Sequence, residues 1–369
     1  MKQSQNFYIN SQESLEKVIR LIREAKLVAI DTEFTRQTTY YPILSIIQIA
    51  VKNSAKEKES FIIDCLSHID LSDFFTVIAD KKIIKILHSC AQDLQIFHHK
   101  SGLIPQNIID TQVMANFCGF GFSVGYSGIV EMLFDQQLDK KQQRSDWQIR
   151  PLSQKQIEYA LLDVIFLEEI YDKFNEILKS NKRQSWFLEE MQTFIGKTLF
   201  KSDESLSKNF SFKNRSAKQI SQIRNLILLR ERWAKKINVP RQHLIKDEAL
   251  ENMVINQKID FNFTKEMSAE ITQIFAGKVL EEENADSKIC QEEEDSKRRG
   301  FFMSAKQKDA FLEAKKLISK ISTQENLREQ FLITSSDLKK LVCEPKFFAK
   351  IIHGWRYEVF GKDLEQLIS

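Results

Sequence analysis

The chain has 369 residues, 42% of them hydrophobic and 28% charged, and 54 basic against 51 acidic side chains leave a formal net charge of +3. It holds only 10 glycines and 5 prolines, where average usage is roughly 12% for the two together; this excludes a turn-dense β-sandwich, a collagen-like repeat and a Pro/Gly-rich disordered chain, and favours long helices. At about 150 residues per domain the length suggests two or three domains, and so small a net charge selects no class of partner.

The stretch Met1–Ser14 is polar, and the densest apolar runs, Ile43–Val51 and Leu226–Leu229, fall far short of a spanning helix. No membrane anchor or export signal is therefore expected. Cys65, Cys90, Cys118, Cys290 and Cys343 include no CxxC pair, which argues against a disulfide framework or zinc site and points to a reducing cytoplasm.

In chain order, an amphipathic helix over Ser11–Ala25 feeds Leu27–Asp31, short, apolar and β-branched enough for a buried strand. Leu44–Val51 and Ser60–Asp64 read as further strands, with Lys56–Glu59 as the charged hairpin turn between them. Leu71–Ala79 is expected as helix, Ile83–His88 as strand, Ala91–His99 as helix, and Ile108–Asp110 as a short strand opening a helix at Thr111. This βββαβα order predicts an α/β fold, a mixed sheet flanked by helices. From about residue 215 strand signals vanish, and Gln219–Lys236 and Ala305–Ile321 repeat apolar residues at helical spacing.

Glu281–Ser296 holds 8 acidic residues and one lysine, the composition of a solvated linker. The expected partition is 1–200 as an α/β domain, 212–280 as a small helical domain, 281–299 as acidic linker and 300–369 as a second helical domain. Lys201–Lys246 carries 12 basic and 3 acidic residues with Phe210, Phe212 and Trp233 interleaved. A patch of that kind suits a polyanion, although a solvated helix face produces the same pattern.

Three acidic elements carry chemistry. In Val28-Ala29-Ile30-Asp31-Thr32-Glu33-Phe34 two carboxylates one residue apart end a buried strand and point to the same side of the sheet. Such an end is costly unless a hard divalent cation arrives; Asp363-Leu364-Glu365 shows that the spacing also occurs without that context. Asp93 falls in the first turn of the helix after Lys85–Ser89, where an acid also complements the helix dipole. Tyr159 and Asp163 stand four apart on one helix face and form the chain's single Tyr-x-x-x-Asp. Asp110 reads as the cap of the helix at Thr111 in preference to a brace of the site. Gly196-Lys197-Thr198 lacks the first glycine of a phosphate loop, Met191 standing there, and Gly119, Gly121 and Gly125 have the wrong spacing for one. An ATP-driven enzyme is disfavoured.

Together these elements resemble the DEDD superfamily of 3′→5′ exonucleases, in its tyrosine-containing (DEDDy) subclass: Asp31 and Glu33 match the first motif, Asp93 the second, Tyr159 and Asp163 the third. Tyr40-Tyr41-Pro42, Gln48, Leu87-His88, Ile109-Asp110-Thr111-Gln112, Asp146-Trp147 and Arg150-Pro151-Leu152 sharpen the likeness toward its ribonuclease members. The helical remainder is similar to paired HRDC domains, with Ile352-His353-Gly354-Trp355-Arg356 echoing the second.

The resemblance implies a ribonuclease-H-like fold and a two-metal hydrolysis releasing nucleoside 5′-monophosphates. Asp31, Glu33, Asp93 and Asp163 would hold two divalent ions, magnesium before manganese, and Tyr159 would orient the nucleophile. Gln48, His88, Arg144 and Arg150 are candidates for touching RNA, with salt bridges to Asp146 or Glu158 as the alternative for the arginines. The implied partner is RNA, tRNA precursors with 3′ extensions above all, gripped by the HRDC-like tail, so that removing 212–369 should spare activity on short oligonucleotides. A DNA-directed exonuclease and a non-catalytic RNA-binding scaffold are the competing readings.

Overall fold

Strand signals in the first 110 residues resolve into one six-stranded sheet: β1 (Tyr8–Ile9), β2 (Leu27–Thr35), β3 (Ile43–Lys52), β4 (Lys58–Asp64), β5 (Ile84–Leu87) and β6 (Ile108–Asp110), ordered β1-β4-β3-β2-β5-β6. β2, β5 and β6 run parallel, in register Leu27↔Ile84 and Lys85↔Ile108, while β3 and β4 form an antiparallel hairpin. The computed structural model describes residues 7–200, 204–207, 210, 212, 215–259, 263–277 and 303–368; the acidic linker expected over 281–299 lies outside them.

Helices α1 (Gln12–Ala25), α2 (Ser72–Ala79), α3 (Ala91–Ser101), α4 (Thr111–Phe117), α5 (Tyr126–Phe134), α6 (Gln154–Ile165), α7 (Leu167–Ser180) and α8 (Gln184–Leu199) accompany the sheet. α1 shows why the pattern was readable: Ser11 caps it, and Leu15, Val18, Ile19 and Ile22 form its buried stripe. Two strand boundaries differ from expectation by more than one residue. β2 continues past Asp31 to Thr35, and the hairpin turn falls at Asn53–Glu57, where the Asn53 side chain accepts from the Glu57 amide at 2.9 Å. Lys58 and Glu59 are already paired with Lys52 and Val51.

Contacts divide the chain into two units, the first comprising Met1–Thr35, Leu44–Leu199 and Met303–Ser369, the second Arg36–Ile43 and Phe200–Phe302. In the first, the C-terminal helices join the core of the sheet domain. Phe117 of α4 meets Phe331 and Trp355 edge-on at 4.8 and 5.2 Å between ring centroids. Arg183, buried, donates to the Phe117 carbonyl and pairs with Glu325 at 2.9 Å. Glu190 of α8 accepts from Trp355 Nε1 at 2.9 Å and Arg356 Nη1 at 2.6 Å. Gly354 has φ 53°, and a Cβ there would collide with the Glu189 carboxylate, so glycine is required at this approach.

The second unit packs the helices Ala217–Lys236, Asp247–Asn256 and Lys265–Phe275 around Leu226, Leu229, Leu250 and Ile271. Ser216 and Gln219 close a capping box at its long helix. Much of the basic charge between 201 and 246 is neutralised within this unit. Arg215 pairs with Glu251, the buried Arg230 with Asp247, Arg232 with Glu270, and both Lys235 and Arg241 with the buried Glu231. Tyr40 also donates to Glu231.

Candidate active site

β2 is buried through Val28, Ala29 and Ile30, then alternates: Asp31 and Glu33 are partly exposed, and Thr32 between them is buried. The two carboxylates thus leave the sheet on one face, as pleating dictates. α6 is started by a capping box of Ser153 and Gln156, and the Gln156 amide also donates to the Asp146 carbonyl at 3.1 Å. One helical turn sets Tyr159 and Asp163 on the same side, and carboxylate oxygens of Asp31, Glu33 and Asp163 lie within 4.8 Å of one another. Asp93, in the first turn of α3, is buried and accepts from the Thr32 hydroxyl.

The electrostatics are those of crowded acids. Burial, then the charges of Asp163, Asp93 and Glu33, holds the Asp31 carboxyl well above the carboxylate range. Burial followed by Asp163 and Asp93 pushes Glu33 up to about 9. Asp93 rises to about 6 and Asp163 to about 7, both chiefly through burial. The Tyr159 phenol is raised by burial and then by Asp163, with which it shares a hydrogen bond, so it stays a neutral donor. Three hard oxygen donors this close, each disfavoured as an anion, fit a divalent cation, whose charge would relieve the repulsion.

The candidate RNA contacts fare differently. Arg150 forks onto Asp64, Nε to Oδ2 at 2.9 Å and Nη2 to Oδ1 at 2.7 Å, with Tyr8 donating to the same carboxylate. Its acidic partner is thus Asp64, not Asp146 or Glu158. Gln48 is fully buried on β3, and the His88 ring sits 2.9 Å from Thr111 Oγ1. Arg144 is exposed, with no ion pair among the described residues. Asp110 does cap α4, accepting from the Gln112 and Val113 amides. Sequence reasoning passed over Thr32, a spacer inside the Asp-x-Glu whose hydroxyl proves to be bonded to Asp93.

A ribonuclease-H-like mixed sheet with this acidic set defines a 3′→5′ exonuclease, and the 3′-5′ exonuclease family profile matches residues 6–179. Full-length relatives narrow the class. Ribonuclease D of Bartonella henselae is 32% identical over 98% of this chain and 89% of that protein, and ribonuclease D of Granulibacter bethesdensis 31% identical over 96% and 90%. The chain belongs to the ribonuclease D family and is a 3′→5′ exoribonuclease. The fold agrees: the crystal structure of Escherichia coli RNase D, described as an exoribonuclease involved in structured RNA processing, superposes with a TM-score of 0.77 at 23% identity, covering 100% of this chain and 99% of that one.

Proposed function

We propose that the enzyme removes nucleotides one at a time from RNA 3′ ends by two-metal hydrolysis, releasing nucleoside 5′-monophosphates, with tRNA precursors carrying 3′ extensions as its cytoplasmic substrates. The observation that carries this is the convergence within 4.8 Å of Asp31 and Glu33, on β2 beyond its buried Val28–Ile30 run, and Asp163 of α6. These three would hold the first ion and Asp31 would also serve the second, with Asp93 completing the acidic set; an all-oxygen donor set favours magnesium over manganese. When bound, the ions would neutralise the phosphate, promote ionisation of the attacking water and stabilise the leaving oxygen.

The protein's own groups supply orientation. Tyr159, neutral and hydrogen-bonded to Asp163, presents a phenol that holds the nucleophile's position and does not act as its base at neutral pH. Family kinship supports the tRNA substrate, and exposed Lys218, Lys236 and Lys246 of the helical unit support a contribution to RNA affinity.

The test is incubation of uniformly labelled RNA and DNA of one sequence with protein and magnesium, with products resolved by size and end chemistry. Mononucleotides bearing 5′-phosphates from RNA, and faster turnover of RNA than DNA, are expected. Internal fragments, 3′-phosphates or a preference for DNA would overturn the proposal.

A further inference from the structure

Asp93 stands outside the Asp31–Glu33–Asp163 cluster and is held by side chains that take no part in it. Its Oδ1 accepts from the Thr32 hydroxyl, a contact between the centre of the Asp-x-Glu motif on β2 and the first turn of α3. Thr32 is 6% exposed, so little water competes for that bond. The backbone beneath Asp93 is fixed separately. Asp110, 1% exposed, accepts through Oδ1 from the Ser89 amide at 2.9 Å and through Oδ2 from the Cys90 amide at 2.9 Å. Ser89 has φ 56°, a left-handed conformation costly for a residue with a Cβ, which these bonds help to hold.

Capping α4 requires only the Gln112 and Val113 amides, at 2.8 and 3.4 Å from Oδ1. The Ser89 and Cys90 amides are 21 and 20 residues away in sequence and contribute nothing to that cap. They do set the turn from which α3 departs, with the Leu94 amide bonded to the Cys90 carbonyl at 3.0 Å. One carboxylate therefore ties the start of α4 to the start of the helix that carries Asp93.

We propose that Thr32 and Asp110 are positioning residues for Asp93: Thr32 fixes its carboxylate by engaging Oδ1, and Asp110 fixes the turn that delivers it. This rests on the reading of the acidic set as a metal site. Outer groups that orient ligands typically control 10–100-fold, order of magnitude, in metal affinity or activity. Thr32 is the sharper probe, because valine keeps its shape and removes only the donor, whereas serine keeps the donor.

The experiment compares full-length wild type, Thr32→Val, Thr32→Ser and Asp110→Asn by thermal melting in chelator, by manganese titration in the absence of RNA followed by electron paramagnetic resonance, and by the magnesium dependence of RNA cleavage. Thr32→Val is expected to stay folded, melting at most a few degrees below the wild type for the lost hydrogen bond, and to bind manganese about tenfold more weakly. It should need correspondingly more magnesium for half-maximal rate, with KM for RNA unchanged. Thr32→Ser should restore both, and Asp110→Asn, if folded, should follow Thr32→Val. Wild-type manganese affinity in Thr32→Val, or equal weakness in Thr32→Ser, would overturn the positioning role while leaving the site intact. Failure of the wild type itself to bind manganese would remove the metal-site reading and this inference with it.

Discussion

Asp31 carries the heaviest electrostatic load in the site, because burial and three neighbouring carboxylates all oppose its ionisation. Carboxyls raised in the folded state bind protons more readily there than in the unfolded chain, where they titrate near about 4. The metal-free protein therefore loses this contribution to stability as pH rises from about 4 toward the Glu33 value of about 9. Asp31→Asn removes one opposing charge and should raise the melting temperature in chelator at pH 8 by about 2–4 °C, the shift that about 1 kcal/mol makes in a large domain. The same variant should lose most of the stabilisation that magnesium gives the wild type. Melting curves with and without magnesium check both, and a lower melting temperature in chelator would show that Asp31 serves the fold.

Tyr159 and Asp163 share a hydrogen bond, and the proposed mechanism gives them unequal duties, the phenol orienting the nucleophile and the carboxylate holding the cation. Tyr159→Phe should slow single-turnover cleavage about 10–100-fold and Asp163→Asn by more than about 10³-fold. The reverse order in rapid-quench measurements would contradict those roles.

Among the elements, β2 and α6 were the most legible. The branched apolar run leading into Asp-x-Glu marked the buried first half of β2, though not its continuation to Thr35, and the four-residue spacing of Tyr159 and Asp163 marked the helix that carries them. What stayed hidden depended on partners remote in sequence. Arg150 could be placed near acids, but Asp64, 86 residues away, only becomes its partner once β4 is built. Burial would raise the Asp64 carboxyl, yet hydrogen bonds from Arg150 and Tyr8 outweigh it and hold the group below its usual range. Arg150→Ala should therefore destabilise by about 1–3 kcal/mol, the worth of hydrogen bonds to a charged group, and leave RNA affinity little changed. Urea unfolding and RNA titration measure the two effects, and lost affinity without lost stability would restore Arg150 as a phosphate contact.

At the scale of the molecule, helical periodicity showed that residues 303–368 bury one face but not what that face meets. It meets the exonuclease: Phe117, Phe187, Ile318, Phe331 and Trp355 belong to one continuous core. This changes the expectation for truncation. Deleting 303–369 should strip partners from Phe117 and leave Arg183 without Glu325, so the remainder should aggregate or lose its cooperative unfolding. A soluble, active truncation with wild-type melting would show that this core is dispensable. The basic patch was legible as composition only, because the acids that neutralise it, Glu251, Asp247 and Glu270, follow it in sequence and fold back onto it.

The measurement that bears most directly on the account is a 5′-labelled single-stranded RNA incubated with magnesium and either wild type or Asp31→Asn, with RNA binding by both proteins measured in parallel. Wild type should shorten the RNA stepwise from its 3′ end, and Asp31→Asn should bind the RNA with similar affinity yet leave it intact. Stepwise shortening by Asp31→Asn at the wild-type rate would contradict the assignment of the acidic cluster as the catalytic centre.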